Sequence, residues 1–325
     1  MTAQEMRSGP LALTGATGLV GRAVLGAARR PVRALYRSRP GGSGAEWVRG
    51  DLGDERSLEA LCEGAEVLVH AAGLTAARRP ADFHAVNVVG AARMAAAARK
   101  AGVRRLVLIS SQAAREPHLS PYAMSKRLGE TAFRRAAGDA EVCVIRPPAV
   151  FGPGDEATAP IMNAIRQGAL PVPGGRNWRD RRFAAVTAED LAEDILRVAE
   201  SGGPGPVEPS SFPRLSWSDL SEAAAAAGYP VRLVPLPPVL LRLAGSLADG
   251  FGRIAGKTSV FGRGKAEEML HADWSADGGP IGEGTLAEAL RPLLGPARRG
   301  RNEAGAERAA PIKERAARAV TGHSS

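Results

Sequence analysis

The chain has 325 residues, 44% of them hydrophobic, and a formal charge of +9. That length and apolar content supply a sizeable core and exclude general disorder, leaving one large α/β domain or a nucleotide-binding domain with a smaller partner. The charge does not mark a nucleic-acid partner: residues 297–325 hold seven Lys/Arg against three Glu, and the remaining excess is spread along the chain.

Apolar runs bounded by turn residues alternate with Ala-rich stretches through the first two hundred positions. Strands are predicted near 10–14, 32–36, 45–49, 66–70, 105–110 and 141–146, with helices near 18–29, 56–63, 81–101 and 121–137 between them. This order predicts an α/β fold, a doubly wound parallel sheet of Rossmann-like type with helices on both faces. Pro147 to Asp155 breaks the pattern and cannot form one continuous element. A short strand follows at Phe183–Val186, then a helix around Asp190–Leu196 that packs back on the first domain. Beyond it come a helix from Leu215 to about Ala227, a strand at Val231–Val234, an amphipathic helix over Val239–Ala255 and a last helix near Thr285–Leu294. The expected organisation is a dinucleotide-binding domain at 8–150 joined by 182–200, an interleaved smaller C-terminal substrate lobe at 151–181 and 201–296, and a disordered basic tail at 297–325. The apolar stripe Leu233, Val234, Leu236, Val239, Leu240, Leu243, Leu247, Phe251 and Ile254 is expected to be core, with a lid over a hydrophobic substrate as the other reading.

Two motifs carry the chemistry. The first is a glycine-rich turn between the first strand and helix, Gly15, Thr17, Gly18, Leu19, Val20 and Gly21, spaced Gly-x-x-Gly-x-x-Gly. Such a turn offers backbone N–H groups and a positive helix end to a pyrophosphate. The second is Tyr122 with Lys126, four apart on a predicted helix, so that phenol and ammonium share one face. A phenol titrates near pH ~10, so work near neutrality asks the lysine and a cationic nicotinamide to favour phenolate. Together the two motifs read as a nicotinamide-dependent enzyme. The second strand ends in Tyr36-Arg37-Ser38-Arg39 with no carboxylate to hold ribose hydroxyls, and Arg37, helped by Arg22 or Arg39, is suited to a 2′-phosphate. NADP is therefore expected in preference to NAD. Asp51 and Leu52, after the third strand, are placed to meet the adenine edge, or Gly50-Asp51 is simply a turn.

These residues, together with Val69-His70-Ala71-Ala72-Gly73, Asn87-Val88-Val89-Gly90, Ile109-Ser110-Ser111 and Arg146-Pro147 through Asp155, resemble the extended short-chain dehydrogenases/reductases of the NAD-dependent epimerase/dehydratase family. The resemblance implies that Tyr122 exchanges the substrate hydroxyl proton and that Lys126 lowers the phenol pKa and holds the nicotinamide ribose. It implies that Ser111, in preference to Ser110, positions the reacting oxygen. It places Ala71, Ala72, Gly73, Pro147 and Val150 along the cofactor, and Asn87 as a structural brace. Two departures stand out: only eleven positions separate Ser111 from Tyr122, and Thr187 occupies a place where relatives often carry histidine.

The leading expectation is hydride transfer between NADP(H) and a carbonyl or secondary alcohol of a small to medium substrate, as in hydroxysteroid and dihydroflavonol reductases. Arg176, Arg179, Arg181 and Arg182 favour instead a phosphate-bearing substrate, and with it a nucleotide-sugar epimerase or dehydratase. A non-catalytic NAD(P)-binding sensor or assembly protein is the third reading. Cys62 and Cys143 are far apart and the five histidines are scattered, so neither a disulfide framework nor a metal is expected. With no apolar leader in the first nine residues and prolines breaking the most lipid-like stretch, the expectation is a soluble, cytoplasmic protein without a membrane partner. Helices 81–101 and 121–137 are candidates for a homodimer face.

Overall fold

The structure, a computed structural model, describes residues 9–203, 205–255 and 261–296. The predicted basic tail at 297–325 lies outside the described residues, as do the side chains of Phe251 and Ile254. Six strands, β1 (Leu11–Thr14), β2 (Val32–Tyr36), β3 (Glu46–Arg49), β4 (Val67–His70), β5 (Arg105–Ile109) and β6 (Glu141–Ile145), form one sheet in the order β3-β2-β1-β4-β5-β6. Every neighbouring pair is parallel. β1 and β4 are buried at all positions, which is why each reads as an apolar run, closed by Thr14 and His70, and not as an alternation.

Helices cover both faces. On one, α1 (Leu19–Ala27) and α7 (Ala188–Ser201) bring Val24, Leu191, Ile195 and Val198 against Leu11, Leu13, Val69 and Ile145. On the other, α2 (Glu55–Cys62), α4 (Ala91–Lys100) and α5 (Pro121–Ala137) bury Leu58, Met94 and Phe133 against Ala12, Leu68 and Leu106. The order reverses between β1 and β4, so a crevice opens beyond their carboxyl ends, where doubly wound sheets bind ligands.

The helix predicted at 81–101 is not uniform. α3 (Pro80–Phe83) runs through a wider π-helical stretch, His84–Gly90, into α4. A run of small residues carries no periodic signal for that extra residue. α5 meets this stretch closely: a Cβ on Gly129 would lie 2.3 Å from the Asn87 carbonyl oxygen, so only glycine lets the two backbones approach.

Beyond β6, the break at 147–155 is interrupted as predicted yet contains a short strand, β7 (Ala149–Phe151), then α6 (Ala159–Gln167) and β8 (Ala169–Pro173), which the periodicity did not mark. β9 (Arg182–Thr187) pairs with β7, and also with β10 (Phe212–Leu215) and, past α10 (Arg263–Leu270), with β12 (Asp273–Trp274). α8 (Trp217–Ala226), β11 (Arg232–Leu236) on β8, and α11 (Leu286–Leu294) enclose a second core around Ile165, Leu170, Val172, Trp178 and Leu290.

One expectation fails here. α9 (Pro238–Ala255) turns Leu241 inward, while Val239, Leu240, Leu243 and Leu247 are 70%, 52%, 54% and 55% exposed. Helical spacing of apolar residues shows that a stripe exists and not what it faces.

Candidate active site

At the end of β1 the chain turns at Gly15, whose φ of +72° favours glycine and whose added Cβ would sit 2.7 Å from the Ala71 and Ala72 backbone. The Gly18 N–H donates to the Gly15 carbonyl at 2.9 Å and closes the turn. Gly18 then caps α1 with no side chain on the first-turn N–H groups, including those at Leu19 and Val20. A Cβ on Gly18 would meet only the Gly15 oxygen, at 3.3 Å, so the face above those N–H groups is open. Open donors at a helix start, on the crevice, fit the pyrophosphate of a dinucleotide. The Thr14 hydroxyl joins β1 to β4, bonding His70 Nδ1 at 2.7 Å and accepting from the Ala72 N–H at 3.3 Å, which fixes Ala71–Gly73 as the opposite wall.

α5 places the second motif. Ser120 caps it, its Oγ accepting from the Ala123 N–H at 2.9 Å, and Pro121 opens the first turn. Tyr122 therefore stands at the mouth of the helix with Lys126 one turn deeper. The Tyr122 ring is half-buried against Phe83, centroids 5.9 Å apart, and the Ser111 side chain is near enough to its phenol to pull the pKa down. Lys126 Nζ donates to the Ile109 carbonyl at 2.8 Å, and a Cβ on Gly73 would lie 3.8 Å from it, so the ammonium sits at the crevice wall. Ser110 faces the other way, donating to buried Glu130 at 2.5 Å, which Arg146 grips at 2.8 and 2.6 Å. The geometry thus brings Ser111, and not Ser110, to the phenol.

The phenol pKa moves opposite to the expected direction. Burial pushes the Tyr122 phenol up to about 12; the Ser111 side chain pulls it down and Glu268 pushes it up. Burial drives Lys126 itself down to about 8, and its N–H points to the Ile109 carbonyl.

Several supports could not be read from spacing. Asn87 braces the site, donating to Ser125 Oγ at 2.9 Å and the Leu74 carbonyl at 3.0 Å and accepting from the Leu74 N–H at 2.8 Å. Ser125 in turn donates to the Tyr122 carbonyl at 2.7 Å. Ser120 also donates to Glu268, a buried carboxylate on α10 that lies 148 positions away, beyond any local signal. Arg37 and Arg39 are exposed beyond β2, whereas Arg22 is held to the Thr17 carbonyl at 2.7 Å. Asp51 accepts from the Gly53 N–H at 2.6 Å, so its carboxylate makes a turn. Leu52 and Val150 are half-buried, and the Pro147 carbonyl accepts from the Gln112 N–H at 2.9 Å. Thr187, at the position often held by histidine, caps α7 by accepting from the Asp190 N–H at 3.0 Å.

A family model described as the NAD dependent epimerase/dehydratase family matches residues 11–207. The chain belongs to that family. It is 40% identical over 292 residues to a ceramide reductase of Caulobacter vibrioides, an alignment covering 85% of this chain and 89% of the relative. It is 34% identical over 223 residues to the 4-hydroxy-2-methyl-3-oxo-4-farnesyl-3,4-dihydroquinoline-1-oxide ketoreductase of Stigmatella aurantiaca, covering 60% of this chain and 66% of that one. Among solved structures, MoeE5 in complex with UDP-glucose and NAD superposes with a TM-score of 0.65 at 20% identity, over 87% of this chain and 96% of the other, a likeness of fold. This epimerase/dehydratase family member is an NAD(P)-dependent oxidoreductase. Among its described residues no helix is long and apolar enough to cross a membrane, and no group of three or more His, Cys, Asp or Glu is arranged to hold a metal.

Proposed function

We propose that this enzyme reduces a ketone to a secondary alcohol with NADPH, on a substrate carrying a large hydrocarbon part, and that Ser111, Tyr122 and Lys126 perform the proton chemistry. The observation that carries the reading is the meeting of Ser111, Tyr122 and Lys126 at the crevice beyond β1 and β4. The dinucleotide, when bound, supplies the hydride. Tyr122 gives its proton to the carbonyl oxygen while the Ser111 hydroxyl hydrogen-bonds that oxygen and holds it in place. A phenol raised to about 12 is kept protonated, the form that ketone reduction consumes. Lys126 holds its charge at the Gly73 wall, where it meets the nicotinamide ribose.

Gly15, Thr17, Gly18, Leu19, Val20 and Gly21 hold the pyrophosphate, Ala71 to Gly73 with Pro147 and Val150 line the nicotinamide half, and Asp51 and Leu52 flank the adenine. Arg37, exposed and without an ion pair among the described residues, binds the 2′-phosphate. Residues 151–181 and 201–296 select the substrate. Both relatives' names specify reductases of molecules with long hydrocarbon chains, ceramide and a farnesyl quinoline. The arginine cluster that favoured a nucleotide diphosphate is largely engaged within the lobe. Arg181 donates to the His271 carbonyl at 2.8 Å, Arg182 to the Arg179 carbonyl at 2.6 Å, and Arg179 stacks 4.4 Å over Trp178. Exposed Met124 and Leu128 on the outer side of α5 support a homodimer through α4 and α5.

The test is NADPH oxidation by purified protein with a detergent-dispersed long-chain 3-oxo lipid, a ketosteroid and sugar nucleotides. Steady loss of NADPH with the lipid or steroid ketone is expected. Tyr122→Phe should abolish turnover yet bind NADPH, and Arg37→Ala should raise the KM for NADPH about tenfold, the size of a lost charged contact of about 1.4 kcal/mol, without touching NADH. Conversion of a sugar nucleotide with no net NADPH change would overturn the reading in favour of an epimerase.

A further inference from the structure

The outward face of α9 is an open apolar surface among the described residues. At ~100° per residue, Val239, Leu240, Leu243 and Leu247 fall within an arc of about 100° on this helix. All four are exposed, and no charged residue interrupts the arc. The opposite side is fixed: Leu241 and Gly245 are buried, and a Cβ on Gly245 would come within 2.9 Å of the Gly262 carbonyl, just before α10. The helix therefore cannot roll to hide its leucines without leaving α10. Single exposed apolar side chains are ordinary, but a continuous row on one helix marks an interaction surface.

Charge indicates what the row meets. Between positions 232 and 268 the sequence holds six Lys/Arg against three carboxylates; Arg242 pairs with Glu267 and Lys265 with buried Glu268, which leaves a basic excess of three along the segment. A helix with an exposed apolar arc, in a segment of net positive charge, suits the headgroup plane of an anionic bilayer, its leucines among the upper acyl carbons. We propose that α9 docks the enzyme on an anionic membrane surface. α10, tied to Ser120 at the start of α5 through Glu268, connects that surface to the helix of Tyr122. The proposal goes beyond the ketone-reductase reading and does not need it.

Full-length protein is to be sedimented with vesicles of phosphatidylcholine containing phosphatidylglycerol, and with phosphatidylcholine alone. Binding to the anionic vesicles is expected, weakened by high salt and reduced at least tenfold in Leu243→Asp/Leu247→Asp, whose altered side chains are already in water. A second measurement guards against a folding defect in that variant. Leu243→Cys carrying an environment-sensitive dye, with Cys62 and Cys143 both buried, should shift its emission to the blue on anionic vesicles. Protein that stays in the supernatant with every vesicle, a double variant that sediments as the parent does, or a dye that does not shift each overturns the proposal. So does a double variant that splits a dimer while binding vesicles unchanged, since the face would then join two copies. NADPH oxidation with the detergent-dispersed ketone is run on the same parent preparation; its absence there speaks against the reductase reading and leaves the docking result standing.

Discussion

Lys126 is the residue whose chemistry departs most from what its spacing suggests. Its placement one turn after Tyr122 is legible in the sequence, because i,i+4 neighbours share a helix face. The direction of its influence is not, because that depends on burial and on the Ile109 carbonyl that takes its N–H. Burial lowers its pKa from 10.5 to about 8, so between those values the unfolded chain holds a proton the folded chain has lost. Unfolding free energy contributed by this group therefore rises with pH through that window. Urea midpoints of the cofactor-free parent and of Lys126→Met, taken at pH 7.5 and 9.5, should show the parent gaining on the variant at the higher pH. A constant gap between the two would sink the assignment.

At the scale of elements, α5 concentrates the supports. Ser120-Pro121 is a readable helix start, and the six main strands with the helices between them follow from alternating apolar runs and Gly breaks. What spacing could not reveal is contact across the chain: the π-helical stretch under Gly129, and Glu268 beneath Ser120. α6 and α10 are short and mixed in polarity, and β8 carries Pro171 and Pro173, so their pattern does not rise above that of loops. Ser120→Ala removes the cap and one partner of a buried carboxylate that keeps Lys265 at 3.1 Å. A loss of about 1–3 kcal/mol is expected. Ser120→Thr, which keeps the hydroxyl, should recover most of it in urea titrations and in kcat. Equal losses in both variants would place the effect in packing and not in the hydroxyl.

On the scale of the whole molecule, the six-stranded sheet and the sheet around β9 are joined by polar groups that come from distant stretches. Arg115, just past β5, donates to Glu208 at 3.0 Å and to the Ser275 carbonyl at 2.9 Å and lies 5.6 Å over Trp274. Burial raises the Glu208 pKa and Arg115 opposes the rise. Arg115→Ala should cost about 1–3 kcal/mol at pH 7. An acid whose folded pKa is raised loses stability as pH climbs through its unfolded value, so the deficit should shrink as pH falls through the raised range, above 4.5, in which folded Glu208 takes up its proton. A deficit independent of pH would show that Glu208 is not the group left exposed to the loss. The Ser120–Glu268 bond has a mechanical implication of the same kind. Because one hydroxyl both seats the first turn under the phenol and clasps α10, any motion that carries α10 away must either undo that clasp or tug Tyr122 along, so the proposed proton donor would sense where α10 sits.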